Sequence, residues 1–373
     1  MIDSIAHRKI EGRPGADRKI RVMVVDDSVV IRRMITRVLE GDPEIEVVGT
    51  AANGVLALQK MDEAMPDAIT LDIEMPEMDG LETLLHLRKN YPRVRVIMFS
   101  TLTERGASAT IDSLLRGANE YVTKPSNTGP AEESIARLRN VLLPKLKQFF
   151  AGGMPKAVTP PAPLLREAAA SASAPRAVAR LKPFRAVAIG VSTGGPTALT
   201  EVIPNFPADF PLPILIVQHM PPLFTQFLAD RLNVRSSIRV VEAQQDMMLE
   251  PATAYIAPGD YHMRFERREG QVRIVLDQGP PENSCRPAVD AMLRSAVEVF
   301  QGDVLAAILT GMGHDGRLGA ESVKKRGGYV IAQDSESSVV WGMPGAVVEA
   351  GLADMVVGLN AMGPAILREA GRV

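Results

Sequence analysis

The stretch Ala186–Gly195, AVAIGVSTGG, is an apolar run that ends at a serine followed by glycines. A segment with a helical pattern, Pro196–Val202, comes next. This order predicts a buried strand, a tight turn and a helix, the unit from which parallel sheets are built. Such a turn lifts one side chain above the carboxyl edge of the sheet. Ser192 is therefore either a nucleophile or a polar residue in a phosphate-binding loop.

Length, charge and cysteine content narrow the class of protein. The chain has 373 residues, which suggests two or three domains, and a net charge of −2. With so small a charge we expect no nucleic-acid partner and no attraction to an anionic membrane. The single cysteine, Cys285, cannot form an internal disulfide. That cysteine usage, with no signal-like or membrane-spanning stretch, predicts a cytoplasmic protein. We also expect a monomer.

Apolar runs alternate with amphipathic stretches in two parts of the chain, which predicts two α/β domains. The first, residues 20–147, predicts a flavodoxin-like (βα)5 domain of five strands and five helices. A disordered tail is expected over residues 1–19. Residues 148–183 are rich in Ala, Pro and Ser and predict an interdomain linker. The strands predicted for the first domain are Arg21–Val25, Glu46–Gly49, Ala68–Leu71, Val94–Phe99 and Glu120–Val122.

The second domain, residues 184–373, predicts a larger, doubly wound and mostly parallel α/β sheet with an inserted antiparallel hairpin. The span Thr253–Asp277 breaks the alternation. We predict short antiparallel strands there at Ala254–Ile256, His262–Arg267 and Val272–Leu276. The other predicted strands are Ala186–Val191, Ile214–Gln218, Ile238–Val241, Val304–Leu309, Tyr329–Ala332 and Met355–Val357.

Polar side chains follow four strands of the first domain. They are Asp26 and Asp27 after the first, Asp72 after the third, Ser100 after the fourth and Lys124 after the fifth. Parallel sheets build their sites at this edge. Three neighbouring carboxylates repel one another, and Mg²⁺ would relieve that repulsion. Asp72 could then attack a phosphoryl group.

Other side chains would assist that reaction. Lys124 would neutralise the phosphoryl oxygens and Ser100 would hydrogen-bond one of them, while Tyr121 would shift inward as Ser100 moves. Alternatively, the acids are helix caps and surface charges. The Asp26-Asp27 pair, the block Asp72–Gly80 and Lys124-Pro125 resemble a response-regulator receiver domain over residues 20–146. The resemblance implies phosphorylation at Asp72 by a histidine kinase, with Asp26 and Asp27 holding Mg²⁺.

Strand ends of the second domain bring together a second set of residues. Ser192 follows its first strand, His219 its second, and Asp315 lies in the loop after Val304–Leu309. This is the division of labour of a serine hydrolase: nucleophile, base and orienting acid. The backbone N–H of Met312, with a second donor near Thr193, would stabilise the oxyanion. Alternatively, the serine belongs to a Rossmann-like phosphate loop, His219 is structural, and Asp315 caps the following helix.

The second domain resembles the catalytic domain of the chemotaxis protein-glutamate methylesterases, the CheB family. The residues that carry the resemblance are Ile189–Pro196, Val217–Met220, Ala257–Asp260, Thr310–Gly313 with Asp315-Gly316, and Trp341–Pro344. Together with the receiver-like part, the resemblance covers nearly the whole chain.

The resemblance implies an enzyme that hydrolyses γ-glutamyl methyl esters on the cytoplasmic helices of chemoreceptors and releases methanol. It also implies deamidation of receptor glutamines, activation by the chemotaxis histidine kinase, and no cofactor for the ester hydrolysis. Two alternatives stay open at this point. The same architecture could act on a non-chemotactic receptor array, or the chain could be a phosphorylation-gated binding module with a vestigial triad.

Overall fold

The computed structural model describes residues 18–101, 103–125, 131–150 and 183–371. The predicted tail over residues 1–19 and the predicted linker over residues 148–183 lie almost wholly outside these ranges.

The N-terminal sheet has five strands in the order β2-β1-β3-β4-β5. This is the flavodoxin-like strand order, as predicted. Pairing is parallel between β1 and β2, β1 and β3, and β4 and β5. The strands are β1 (Ile20–Val25), β2 (Ile45–Ala51), β3 (Ala68–Asp72), β4 (Arg95–Ser100) and β5 (Glu120–Thr123). The helices are α1 (Val29–Glu40), α2 (Gly54–Ala64), α3 (Gly80–Asn90), α4 (Glu104–Leu115) and α5 (Ala131–Lys147).

Polar caps start four of these helices shortly after the strands end. The side chains of Ser28, Asn53, Asp79 and Thr103 each accept a hydrogen bond from a backbone N–H in the first turn of the next helix. Each such cap stabilises a helix by about 1 kcal/mol. The caps therefore fix where each loop at the carboxyl edge of the sheet must end.

The C-terminal sheet has seven strands in the order β14-β13-β12-β6-β7-β9-β8, and every pairing in it is parallel. Its strands are β6 (Ala186–Val191), β7 (Ile214–Gln218), β8 (Arg239–Glu242), β9 (Thr253–Ile256), β12 (Val304–Ile308), β13 (Tyr329–Gln333) and β14 (Met355–Val357). A separate antiparallel pair joins β10 (His262–Arg268) to β11 (Gln271–Asp277). The mostly parallel sheet with an inserted hairpin is confirmed.

One strand prediction was wrong. Ala254–Ile256 does not belong to the antiparallel insertion; it forms most of β9, which lies between β7 and β8 in the parallel sheet. All four residues of β9 are buried. Burial on both faces is what a strand inside a parallel sheet requires, since helices cover such sheets on both sides.

The strand order changes direction beside β6, which pairs with β12 on one side and with β7 on the other. Every residue of β6, β7 and β12 is buried. Open parallel sheets bind ligands at such a switch point, outside the carboxyl ends of the strands. The loops that follow these three strands are therefore where a site is expected.

The helices of this part are α6 (Gly195–Val202), α7 (Phe224–Arg235), α8 (Val289–Val299), α9 (Arg317–Lys325), α10 (Met343–Glu349) and α11 (Leu359–Ala370). Among the described residues, no helix combines the length and apolar character needed to cross a bilayer.

Candidate active site

Ser192 stands directly after β6, in a tight turn that leads into α6. Its backbone N–H donates to the carbonyl of Thr310 at 3.0 Å, and its own carbonyl accepts from Gly195 N–H at 2.8 Å. Gly194 has φ +76°, a left-handed conformation that a residue with a Cβ rarely adopts. The turn is therefore fixed at both ends and holds Ser192 at the sheet edge.

His219 follows β7 at the position next to Ser192. The last pair in the β6–β7 register is Val191 with Gln218, so Ser192 and His219 are the next residues on neighbouring strands, which lie about 4.8 Å apart. The Nε2 of Gln218 donates to the carbonyls of Ser192 at 3.0 Å and His219 at 3.3 Å. The buried Gln218 amide thus ties the two backbones together.

The carboxylate of Asp315 lies against His219, with Oδ2 2.8 Å from Nε2. Asp315 is 2% exposed. Three backbone N–H groups also donate to it, two of them from the first turn of α8: Val289 at 2.7 Å, Asp290 at 3.0 Å and Gly316 at 3.0 Å. The N-terminal end of a helix, with its free backbone N–H groups, favours negative charge.

Asp315 does not cap the helix that follows it, which was the alternative structural role. The N-cap of α9 is Gly316, which offers no side chain, and the Asp315 carboxylate binds the start of α8 instead. Burial opposes the ionised carboxylate, but the hydrogen bonds from His219, Val289 and Asp290 outweigh it and lower the pKa of Asp315. Asp315 is thereby held in its charged form beside the imidazole.

Each ring nitrogen of His219 has a neighbouring side chain, Asp315 at Nε2 and Cys285 at Nδ1. Burial opposes its charged form, but the hydrogen bonds to Asp315 and Cys285 outweigh burial and raise the pKa of His219 to about 9. The Sγ of Cys285 lies 3.6 Å from Nδ1. Because Asp315 holds Nε2, Nδ1 is the ring nitrogen left to bind another group.

Only two of the three predicted triad residues are in direct contact. His219 and Asp315 are in direct contact, whereas none of the hydrogen bonds among the described residues joins the Ser192 hydroxyl to His219. Hydrogen bonds of this kind are often long or absent before substrate binds.

The loop after β12 lies beside Ser192, as the oxyanion prediction needs. A Cβ built on Gly311 would come within 2.8 Å of the Ser192 Cβ, so only glycine permits this approach. Gly311 N–H donates to Val340 at 3.0 Å, and its carbonyl accepts from Met343 at 2.8 Å. The backbone N–H of Met312 donates to no other described residue.

Thr193, the other predicted oxyanion residue, lies in the turn after Ser192 and is buried. Its carbonyl accepts a hydrogen bond from the Thr310 hydroxyl at 2.9 Å. This bond links the loop after β6 to the loop after β12. The two predicted oxyanion residues therefore lie in loops that are fastened to each other.

Four residues around the triad were not found from the sequence: Gln218, Asn283, Cys285 and Asp290. Asn283 Nδ2 donates to Asp315 Oδ1 at 3.0 Å and to Asp290 Oδ2 at 2.9 Å. Burial, together with the charge of Asp315, raises the pKa of Asp290. Only Gln218 had a usable signal, since it directly precedes the histidine at the end of a strand.

The N-terminal sheet has an acidic cluster at its carboxyl edge. Carboxylate oxygens of Asp26, Asp27 and Asp72 all lie within 4.8 Å of one another. Asp26 and Asp72 are buried and Asp27 is exposed. Hard oxygen ligands with one side open to water are what Mg²⁺ prefers, so the residues present fit that ion.

The other predicted residues of that edge lie at the ends of β4 and β5. The Ser100 hydroxyl is 3.0 Å from the carbonyl of Gly106. Lys124 follows β5, and its backbone N–H donates to the Ser100 carbonyl at 2.7 Å. Tyr121 is buried, and burial raises the pKa of its hydroxyl well above the usual value. At neutral pH that hydroxyl is therefore uncharged.

Two family models match the chain. The model described as response regulator receiver domain matches residues 22–136, and the model described as CheB methylesterase matches residues 187–366. The matches coincide with the two sheets described above.

Curated relatives match over almost the full length. A protein-glutamate methylesterase/protein-glutamine glutaminase of Trichodesmium erythraeum is 48% identical over 95% of this chain and 99% of the relative. One of the same name from Nocardioides is 49% identical, covering 95% of this chain and 96% of the relative. A solved catalytic domain, that of Thermotoga maritima CheB methylesterase, is 46% identical over 50% of this chain and 98% of its own, with a TM-score of 0.49.

Proposed function

The chain belongs to the family of protein-glutamate methylesterases/protein-glutamine glutaminases, and from that premise we propose that it is a phosphorylation-activated serine hydrolase of chemotactic adaptation. It removes methyl esters from glutamyl side chains of chemoreceptors and deamidates receptor glutamines. The observation that carries the proposal is the partly buried contact of 2.8 Å between His219 and Asp315, beside a serine at a sheet switch point. A binding module without catalysis would not require this contact between His219 and Asp315.

The reaction follows from the geometry of three side chains. Ser192 Oγ attacks the ester carbonyl while His219 Nδ1 takes its proton, and Asp315 stabilises the resulting imidazolium through Nε2. The C–OCH₃ bond then breaks, and His219 returns the proton to the leaving oxygen, which departs as methanol. Water attacks the acyl-enzyme with His219 again as base, freeing the glutamate and Ser192. With a glutamine substrate the same steps release ammonia.

The negative charge on the attacked carbonyl oxygen needs donors. We assign this role to the backbone N–H of Met312, with a second donor near Thr193. The close approach of Gly311 to Ser192 supports the assignment, since it brings that loop to the reacting atoms. Such donors act on charge that develops only in the transition state.

For the N-terminal sheet we propose phosphorylation of Asp72 by the chemotaxis histidine kinase. Asp26, Asp27 and Asp72 would hold Mg²⁺, which when bound would neutralise phosphoryl charge. Lys124 would pair with the phosphoryl oxygens and Ser100 would hydrogen-bond one of them, and Tyr121 would move inward with Ser100. The phosphoryl group adds about −1.5 to −2 charges at this edge. We propose that the enzyme works in the cytoplasm, as a monomer.

The test is methanol release from methylated chemoreceptor by the chain phosphorylated with acetyl phosphate, comparing the parent with Ser192→Ala. We expect release by the parent and none by the variant. Equal release by both would remove Ser192 as nucleophile, and no release by the parent would favour the binding-module alternative. A methylated receptor of another signalling array, assayed alongside, checks the alternative substrate.

A further inference from the structure

Asn283 joins the carboxylate of Asp315 to a second buried carboxylate, that of Asp290. Asn283 is itself exposed, but its Nδ2 atom reaches Asp315 Oδ1 at 3.0 Å and Asp290 Oδ2 at 2.9 Å. Both partners are acceptors, so only the amide nitrogen, with its two hydrogens, can face them. One neutral amide thus supplies a donor to each of two acids.

We propose that Asn283 is a positioning residue of the esterase site, whose amide holds Asp315 in the orientation that directs Oδ2 to His219 Nε2. The inference rests on the proposed function, because Asn283 has this role only if Asp315 serves His219 as base. Asp315 Oδ1 also accepts from Asp290 N–H and Gly316 N–H at 3.0 Å each. Fixing Oδ1 sets the rotation of the carboxylate and therefore the direction of Oδ2.

The loop that carries Asn283 is built to hold it there. Asn283 and Ser284 both have left-handed backbones, with φ +51° and +63°, and Asn tolerates this conformation better than most residues. Glu282 and Cys285 exchange backbone hydrogen bonds of 3.1 and 2.8 Å across the turn. Arg294 of α8 binds both carboxylate oxygens of Glu282, at 2.7 and 2.6 Å.

The same helix supplies the second acid. Asp290, in the first turn of α8, is fully buried, and its Oδ1 accepts from Gly319 N–H at 2.6 Å. The charged and titratable groups that face this cluster are Asp290 and Arg294 of α8, His219 after β7, and Glu282 and Cys285 of the loop. A carboxylate in place of the Asn283 amide would face two acids with no donor between them.

The sharpest variant is therefore Asn283→Asp, which keeps the shape and tolerates the left-handed backbone. While protonated, the introduced carboxyl can still donate to one acid; once ionised it cannot. Neighbouring like charge raises its pKa, so we expect the ratio of variant to parent kcat to fall roughly 10- to 100-fold between about pH 5 and about pH 8, with KM unchanged.

Two further variants distinguish the positioning of Asp315 by the Asn283 amide from a general effect of the loop that carries Asn283. Asn283→Gly removes the amide and accepts the left-handed backbone, so its kcat should be lowered by a factor that does not change over that pH range. Glu282→Gln weakens the pairing with Arg294 on the same loop but leaves the Asn283 amide in place, so any loss of kcat relative to the parent should be the same at every pH over that range.

The assay is methanol release by the full phosphorylated chain, with Ser192→Ala measured alongside. A flat ratio for Asn283→Asp, or the same pH-dependent fall for Glu282→Gln, would overturn the positioning role. Should Asn283→Gly fail to fold, the pH dependence of Asn283→Asp decides alone. Full activity of Ser192→Ala would overturn the proposed function instead, so the two failures are distinguishable.

Discussion

The Nε2 atom of His219 lies 2.8 Å from the Oδ2 atom of Asp315, and this contact decides which ring nitrogen can act as base. In the template of serine hydrolases the acid usually binds Nδ1 and Nε2 meets the serine. Here Asp315 binds Nε2, and Cys285 Sγ lies 3.6 Å from Nδ1. The proposed triad therefore differs from that template in the ring nitrogen that meets the acid.

Replacing Asp315 tests this contact through the pH profile. The base must be neutral to act, and hydrogen bonds to Asp315 and Cys285 raise the pKa of His219 to about 9, so activity of the parent should increase with pH up to that value. Asp315→Asn removes the negative charge, so kcat should fall by a factor on the order of 10⁴ and the midpoint of the rise in kcat/KM should move to lower pH. An unchanged midpoint would mean that the carboxylate does not set the basicity of His219.

The thiol of Cys285 lies next to the same imidazole ring and can be modified chemically. Its Sγ lies 3.6 Å from His219 Nδ1, and it is the only cysteine in the chain. Alkylation with N-ethylmaleimide should abolish methanol release because it attaches a bulky group beside Nδ1, the nitrogen proposed to take the Ser192 proton. Cys285→Ala, which has no thiol to alkylate, should stay active in the presence of the reagent. Full activity of the alkylated parent would place the thiol away from the reacting atoms.

The oxyanion assignment is tested at Met312. Met312→Pro removes the backbone N–H and should lower kcat by roughly 10²- to 10³-fold, the usual loss for one such donor. Met312→Ala keeps the N–H and is the matched control, so its kcat should be close to that of the parent. Equal losses in both variants, with unchanged thermal melting, would show that the side chain matters rather than the N–H.

Removing Mg²⁺ distinguishes phosphorylation of Asp72 from hydrolysis of the ester. EDTA should prevent labelling of Asp72 by acetyl phosphate, because the three carboxylates then repel the incoming phosphoryl group. It should leave the basal methanol release unchanged, because no group of the triad needs a metal. Asp72→Asn should behave in the same way without EDTA. Loss of basal release with EDTA would reveal a metal in the esterase reaction.

The sequence predicted the strand ends well and the contacts between distant loops poorly. Ser192 and His219 could be placed because each follows an apolar run that is buried in the sheet. The strand at Ala254–Ile256 is predicted in the insertion because it lies within Thr253–Asp277, the span that breaks the alternation. Four buried residues show no period that separates a parallel strand from an antiparallel one.

The residues around the triad illustrate a second limit. Asn283 reaches Asp315 only because two consecutive residues adopt left-handed backbones, and nothing in the local pattern indicates this. Asp290 looks, in the sequence, like any acid in the first turn of a helix. That it shares the Asn283 amide with Asp315, twenty-five residues away along the chain, depends on contacts between distant loops and helices.

The most direct test of Ser192 as the nucleophile is where an organophosphonate inhibitor of serine hydrolases attaches. The phosphorylated chain is incubated with a fluorophosphonate, and the modified peptide is identified by mass spectrometry. We expect a single adduct on Ser192, formed much more slowly in Asp315→Asn and absent from Ser192→Ala. An adduct on another residue, or labelling of Ser192 that does not depend on Asp315, would contradict the nucleophilic role of Ser192.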